Sequence, residues 1–210
     1  ANRCARKGLK VAMVDTLYGG TCALRGCTPK KAMESVTSLY KEASHLQGHG
    51  FPKMKSSVDW KALMAHQQQF TTLIPANKKE DLRANDITVI EGKAKFTGKK
   101  TIQVGEDKYT ADHIVIATGA TPAKLPFEGA DLMITSDHFI HLTSLPKRVV
   151  FVGGGYIGFE LAHIAAAAGS EVTIISRDEK PLGAFDHDLV SQLVQATLNQ
   201  NIRVKLGFEV

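Results

Sequence analysis

The sequence predicts an α/β fold made of two strand–helix–strand units, each a three-layer parallel-sheet arrangement and each incomplete. Three observations carry that prediction. Residues 1–15 read as the end of a helix, a glycine stop and a buried strand closing on an acid, the second half of such a unit. Residues 148–176 read as a strand, a glycine turn, an alanine-rich helix, a glycine cap and a second strand. No solenoid-type repeat intervenes, so the two units are the only duplication.

Taken in order, Ala1–Gly8 is expected as closing helical turns, followed by the strand Leu9–Asp15. Pro29–Leu46 places Met33, Val36, Leu39, Tyr40, Ala43 and Leu46 at close to helical spacing, with Gly48 and Gly50 as its stop. Asp59 is an N-cap for a second helix carrying Trp60, Leu63, Met64, Phe70, Leu73 and Ile74. From Ile87 the pattern turns to strands: ITVIEGKAKF, TIQV, KYT and DHIVIATG, with GKK and GED as turns. Thr121–Pro146 is mixed and punctuated by proline, a crossing linker. Arg148–Val152 is then a strand, the following helix runs to Ala168, and Glu171–Ser176 is a strand. A helix near Asp186–Asn199 and a strand over Ile202–Val210 complete the pattern.

Composition narrows the function. The chain has 210 residues with 26 basic and 21 acidic ones, and its lysines lie in scattered pairs (Lys30-Lys31, Lys78-Lys79, Lys99-Lys100) without a tract. Nucleic acid is therefore not the expected partner. No apolar run approaches the ~20 residues that span a bilayer, and Ala1–Gly8 has none of the features of a signal peptide. A cytoplasmic location and no membrane partner are expected. Three cysteines do not make a disulfide framework of the secreted kind. Cys4 lies far from the other two and is expected as a small buried hydrophobe.

The segment RVVFVGGGYIGFELA contains G-x-G-x-x-G at Gly153, Gly155 and Gly158, between an apolar strand and a helix. That context makes it a Rossmann-like dinucleotide turn. The first two glycines let backbone approach a pyrophosphate, the third lets helix and strand pack, and the helix N-terminus attracts the phosphates. At the end of the second strand an acid would hold a ribose 2′-hydroxyl and repel a 2′-phosphate. Ser176 and Arg177 stand there instead, which favours NADPH over NADH, while Asp178 and Glu179 directly after them act in the opposite sense.

GGTCALRGCTPKK, residues 19–31, holds the other two cysteines. In a regular helix, α-carbons five residues apart are separated by ~8–9 Å, whereas a disulfide needs ~4.4–6.8 Å. Cys22 and Cys27 can bridge only through irregular backbone, which Gly26 permits and Pro29 encourages at Thr28. Thr28 would cap a helix starting at Pro29, placing Cys27 just before it with Lys30 and Lys31 in its first turns. A helix N-terminus and ammonium groups favour a thiolate, so a reactive dithiol is expected. Two alternatives stand beside it: a zinc site, for which C-x₄-C with only Cys4 left over is poor spacing, and two unconnected buried thiols.

GGTCALRGCTPKK resembles the redox-disulfide segment of the FAD-dependent pyridine nucleotide–disulfide oxidoreductases, the glutathione reductase, dihydrolipoamide dehydrogenase and mercuric reductase type. The resemblance covers essentially the whole chain in the right order. It implies two dinucleotide-binding domains: 1–125 for FAD, lacking its first strand and glycine turn, and 146–210 for NAD(P), truncated at its C-terminus, joined by a linker over 126–145. An interior fragment is thus expected. Asp15 matches the acid on the FAD ribose. IVIATGATP resembles the second FAD segment, with Ala117, Thr118 and Gly119 near the cofactor. EGKAKF resembles the strand whose backbone at Lys93 and Ala94 meets the adenine. GGGYIGFE resembles the NAD(P) turn, bringing Tyr156 and Ile157 to the cofactor with the three glycines, and Gly20 and Thr21 fall beside the flavin.

The same resemblance implies the chemistry. NADPH delivers hydride to the flavin, the Cys22–Cys27 disulfide is reduced, Cys27 becomes the charge-transfer thiolate and Cys22 exchanges with a small disulfide substrate. A lysine near the second cysteine, Lys30 or Lys31, pairs with Glu160, and the PKK form favours Lys30. A homodimer is implied for the full-length protein. The family's histidine base has no counterpart among the eight histidines, and none is assigned. His45 and His49 share i,i+4 spacing, but Gly48 breaks the helix between them and a surface pair is expected. No tyrosine stands in IPANKKEDL where glutathione reductases carry one, so substrate identity is weakly encoded. A non-catalytic dinucleotide-binding module is the alternative of another class.

Overall fold

The computed structural model describes residues 1–54 and 57–209. A single turn of helix, α1 (Asn2–Ala5), leads through Gly8 into strand β1 (Val11–Asp15). Gly8 has φ 78°, the left-handed conformation that reverses the chain there. The expected first helix is thus only four residues long, and Cys4 on it is exposed rather than buried. The expectation failed because α1 buries no residue at all, so nothing covers the thiol.

After β1 come α2 (Gly20–Arg25) and the long α3 (Cys27–His45), separated only by Gly26. Helix α3 begins two residues earlier than the Pro29 start. Pro29 falls in its first turn, where a missing N–H breaks no intrahelical bond. Met33 and Ala43 turn inward as the spacing requires, whereas Leu39 stays 67% exposed. Asp59 caps α4 (Trp60–Thr71) by accepting from the Ala62 N–H at 3.1 Å. The expected continuation through Leu73 and Ile74 is instead a new helix, α5 (Ile74–Ala84), with Pro75 in its first turn. Proline at that point cannot donate to the preceding turn, so one helix becomes two.

The expected strand ITVIEGKAKF is likewise divided, into β2 (Ile87–Glu91) and β3 (Ala94–Gly98). Gly92, at φ 146°, turns the chain between them, and a Cβ there would stand 2.5 Å from a Val104 methyl. β2 pairs in parallel with β1, Val11 opposite Ile87 through Asp15 opposite Glu91. β3 forms an antiparallel meander with β4 (Thr101–Val104) and β5 (Asp107–Thr110). DHIVIATG is not a strand: residues 111–126 run without regular structure, Val115 is 86% and Ile116 is 70% exposed, and among the described residues β1 pairs with β2 alone. A strand needs a neighbouring ladder, and no described strand edge receives this segment.

The 126–145 linker is more than a connection. It holds α6 (Ser136–Phe139), and its Phe139 and Ile140 are buried. Phe139 packs edge-on to Trp60 at 5.6 Å and to Phe151 at 5.4 Å. Trp60 in turn donates its indole N–H to the Leu142 carbonyl at 2.9 Å.

The second unit follows its sequence pattern closely. β6 (Arg148–Val152), α7 (Tyr156–Ala167), β7 (Glu171–Ile175), α8 (His187–Leu198) and β8 (Arg203–Lys205) give a parallel sheet in the order β6-β7-β8. Gly169 closes α7 at φ 94°, and the Asp186 carboxylate caps α8 by accepting from two backbone N–H groups. The last strand is shorter than Ile202–Val210, and Val210 lies outside the described residues.

The main core crosses the unit boundary. Met33, Trp60, Leu63 and Met64 from the first part join Phe159, Leu161, Ala162, Ile164, Val172 and Ile174 from the second. Fully burying such a side chain contributes about 1.5–3 kcal/mol, so α3 and α4 are seated on α7 by the same burial that holds the sheet to its helix. A smaller cluster of Tyr18, Leu82 and Ile87 closes the β1–β2 layer.

Candidate functional site

Gly26 decides where the two cysteines meet. Its backbone (φ −130°, ψ −111°) breaks the helical path between α2 and α3. A Cβ on it would lie 3.1 Å from the Thr21 carbonyl oxygen and 3.2 Å from the Cys22 α-carbon. The chain therefore folds back over Cys22 and places Cys27 at the first position of α3. Both are free, exposed thiols, and they stand within hydrogen-bonding reach of each other. That hydrogen bond to Cys27 pushes the Cys22 thiol above its ordinary range, while the charge of Lys31 acts in the opposite sense. Cys27 is the first residue of the 19-residue helix α3.

One turn further along α3, Lys30 donates to a Glu160 carboxylate oxygen on α7. The lysine ammonium also lies 5.7 Å from the centre of the Tyr156 ring. Lys31 is exposed and makes no such contact with α7 among the described residues. Arg25, between the two cysteines, reaches Asp137 of α6 at 3.4 Å, a contact sequence reasoning did not find.

At the carboxyl end of β1, one Asp15 oxygen accepts from the Leu17 N–H at 3.1 Å. Gly19 caps α2 at φ 141°, with Gly20 and Thr21 as its first residues. Tyr18, also missed from sequence, is buried beneath this turn. Its hydroxyl lies 2.7 Å from the Met13 carbonyl and 2.8 Å from that of Ile90, and accepts from the Ile90 N–H. Burial, the largest cause, keeps that phenol above its ordinary value, so it remains a donor that ties β1 to β2. Lys93 and Ala94 are exposed at the turn into β3, and Ala117, Thr118 and Gly119 are exposed in the unpaired segment. The structure does not draw those three against Asp15 in a sheet.

The glycine turn is built as its spacing requires. Gly153 has φ 118°, and its N–H donates to the Ile175 carbonyl at 2.7 Å. A Cβ on Gly158 would come within 2.8 Å of the Gly153 carbonyl oxygen, so helix and turn touch only because it is absent. Around Gly153 and Gly155 no atom lies within 4 Å of where a Cβ would stand, leaving backbone open to a ligand. The unassigned Gly154 has a packing role: its Cβ would stand 2.7 Å from the Ser176 hydroxyl. The run of three glycines was the signal for it.

A cleft of about 250 Å³ opens on this turn, lined by Gly154, Gly155, Tyr156, Asp178, Leu182 and Phe185 among others. The Leu182 N–H donates to the Gly154 carbonyl and holds the far wall in place. Tyr156 in its lining is 56% exposed, and the neighbouring Ile157, 44% exposed, is not part of the lining. Ser176 is buried beneath Gly154, whereas Arg177 points into solvent beside Asp178 at 3.7 Å. Of the two residues read as phosphate partners, only Arg177 is displayed. The open glycines, the α7 N-terminus and the cleft fit a dinucleotide. At the end of β1 Asp15 has, among the described residues, one oxygen with no hydrogen-bond donor, which suits a ribose hydroxyl, and the neighbouring thiols Cys22 and Cys27 with Lys30 one turn on suit a flavin.

Two parallel α/β layers, a glycine turn on the second and a close cysteine pair beside the first are the features of a redox α/β protein of the dinucleotide-binding class. The chain belongs to the pyridine nucleotide-disulphide oxidoreductases: that family matches residues 1–210. It is similar to a glutathione reductase of Nostoc sp., 35% identical over 97% of this chain and 45% of the relative. It is also similar to a dihydrolipoyl dehydrogenase of Mycoplasma genitalium, 32% identical over 97% of this chain and 46% of the relative. A solved structure of the HOCl-induced flavoprotein disulfide reductase RclA from Escherichia coli superposes with TM-score 0.84 at 25% identity, covering 100% of this chain and 46% of that one. The chain spans about half the length of the relatives it matches. Among the described residues no helix is long and apolar enough to cross a membrane, and no group of three metal-ligating side chains occurs.

Proposed function

We propose that the full-length protein is a flavoprotein disulfide reductase that passes electrons from NADPH by way of FAD to Cys22–Cys27 and on to a small disulfide substrate, most like glutathione reductase. The observation that carries the reading is the thiol pair at the start of α3, one turn from the lysine that grips Glu160 of the nucleotide-turn helix. FAD, when bound, supplies the two-electron relay between a nicotinamide and a dithiol. One hydride equivalent (two electrons and one proton) breaks the Cys22–Cys27 disulfide and leaves one thiolate and one thiol. Cys27, at the helix N-terminus, holds the thiolate. Cys22 retains the proton and, being exposed, exchanges with substrate.

In this reading 1–125 binds FAD through Asp15, Gly20, Thr21, Lys93, Ala94 and Ala117–Gly119. Residues 146–210 bind NADPH through Gly153, Gly155, Tyr156, Ile157, Gly158 and Arg177, with 126–145 between them. Lys30 and Glu160 fix the charge beside the reacting thiols, and a homodimer completes the site. A dihydrolipoyl dehydrogenase is the second reading, favoured by the 32% relative and by Asp178 in the cleft wall.

The test is anaerobic two-electron reduction of the full-length holoprotein. A long-wavelength absorbance band is expected, retained in Cys22→Ser and lost in Cys27→Ser. Persistence of the band in Cys27→Ser overturns the role of Cys27, and absence of any flavin absorbance returns the protein to the non-catalytic nucleotide-binding class.

A further inference from the structure

Helix α3 carries a second lysine toward α7. Lys30 and Lys41 are 11 residues apart, which places them within about 20° of one another around the helix and about 16 Å apart along it. Met33 and Thr37, both buried, fill the same face between them. On α7 their partners are close together: Glu160 takes Lys30, and His163, one turn or about 4.5 Å further on, takes Lys41 with Nζ 3.1 Å from Nδ1. The two lysines therefore converge on α7 from either end of a buried stripe.

The histidine is itself held from behind. Its Nε2 lies 3.0 Å from the Thr197 hydroxyl, and Thr197, fully buried, donates its own hydrogen bond to the Leu193 carbonyl at 2.7 Å. Nε2 is thus the donor nitrogen, and Nδ1 is left to accept from Lys41. The Gln200 carboxamide oxygen, an acceptor, stands 3.0 Å from Nδ1 on the remaining side, so of these two neighbours Lys41 is the one that donates to that nitrogen. Burial and the Lys41 charge hold the imidazole neutral, with a pKa of about 4, which keeps it an acceptor at neutral pH.

We propose that His163 is a positioning residue: by accepting Lys41 it sets the axial and rotational register of α3 on α7, and so holds Lys30 on Glu160 and Cys27 at its station. The inference rests on the disulfide-reductase reading above. With only the Lys30–Glu160 contact, α3 can pivot about one point. Two contacts bracketing Met33 and Thr37 prevent that.

The test uses the full-length holoprotein with His163→Ala, His163→Gln and Lys41→Met. Two quantities are read well below the melting temperature: the long-wavelength band after two-electron reduction, and the rate of reduction by NADPH in a single turnover. His163→Ala and Lys41→Met are expected to weaken the band and slow reduction about tenfold to a hundredfold, as a displacement near 1 Å does. His163→Gln restores both to within about twofold, because a glutamine amide accepts from Lys41 and donates to Thr197. Wild-type band and rate in His163→Ala overturn the inference, and so does a glutamine variant as impaired as the alanine one. A wild-type protein without the band fails the functional reading itself, a different outcome from a wild-type band that His163→Ala leaves unmoved.

Discussion

Lys30, on the first turn of α3, and Glu160, on the helix after the glycine turn, are paired across 130 residues of sequence. The pair joins the helix that begins with Cys27 to the helix that begins at the Gly155 cleft. An ion pair in so exposed a setting as Glu160, 42% accessible, contributes little to stability. Its consequence is positional: it fixes a cation between the helix that begins with Cys27 and the helix that follows the glycine turn.

Loss of that cation is therefore expected to cost rate more than stability. Lys30→Met in the full-length protein should slow flavin reduction by NADPH about tenfold to a hundredfold and shift the melting temperature little. Lys31→Met, which leaves the Glu160 contact intact, should leave the rate within about threefold of wild type. Stopped-flow absorbance at the flavin band decides between them, and equal effects would remove Lys30 from its special place.

The glycines of the turn separate packing from binding. Gly158→Ala drives a Cβ to within 2.8 Å of a backbone carbonyl and should destabilise the protein by about 1–3 kcal/mol. Gly155→Ser meets open space and supplies a good helix cap, so the melting temperature should hold while nucleotide affinity falls. Thermal melting alongside nucleotide titration distinguishes the two, and unchanged affinity in Gly155→Ser would detach the cleft from the nucleotide.

Arg177 is displayed where a 2′-phosphate is expected, and Asp178 stands beside it. Arg177→Glu should raise the KM for NADPH about tenfold to a hundredfold, the worth of one charged hydrogen bond, while the KM for NADH changes little. Equal losses with both nucleotides would take Arg177 out of the phosphate site.

His163 adds a pH signature. Its folded pKa of about 4 lies below the ordinary 6.5, so between those values the unfolded chain binds the extra proton. Stability from this group is complete above pH 6.5 and is lost as pH falls through 4. The groups facing the ring are Lys41 from α3, itself held below its ordinary value by burial against the pull of Glu34, and the uncharged Thr197 and Gln200. Melting temperature followed from pH 7 to pH 4 should drop less in His163→Gln than in the wild type. Parallel curves for the two would falsify the assignment of a neutral buried imidazole.

Much of the site is legible in the chain because its chemistry depends on short-range spacing. Gly153, Gly155 and Gly158 stand in a strand–turn–helix context that local pattern specifies, and the second unit folds close to the expected boundaries. Cys22, Gly26 and Cys27 are legible for the same reason, since five residues with a glycine before the second cysteine suffice to ask for a backbone reversal. Helix starts moved by a residue or two, as at Cys27, because a capping geometry and not a residue type decides them.

DHIVIATG shows where local reading stops. Its apolar run is that of a strand, yet a strand exists only when a neighbouring ladder accepts its backbone groups, and none of the described strands does. Cys4 failed for a related reason, since burial is a property of what lies above a residue and not of the residue itself. Ser176 moved from the nucleotide surface to the space under Gly154, a contact between positions 22 apart that only the closed turn creates.

The sequence alone determined the cysteine segment, the glycine turn at 153–158 and the order in which they come, because each depends on backbone freedom and residue types within a few positions. Tertiary structure alone decided which lysine meets Glu160, that Lys41 meets His163, and that Phe139 welds the linker to both units. The two lysine contacts and the Trp60–Leu142 hydrogen bond join residues more than 80 positions apart, and their choice follows from the burial of one apolar face shared by α3, α4 and α7.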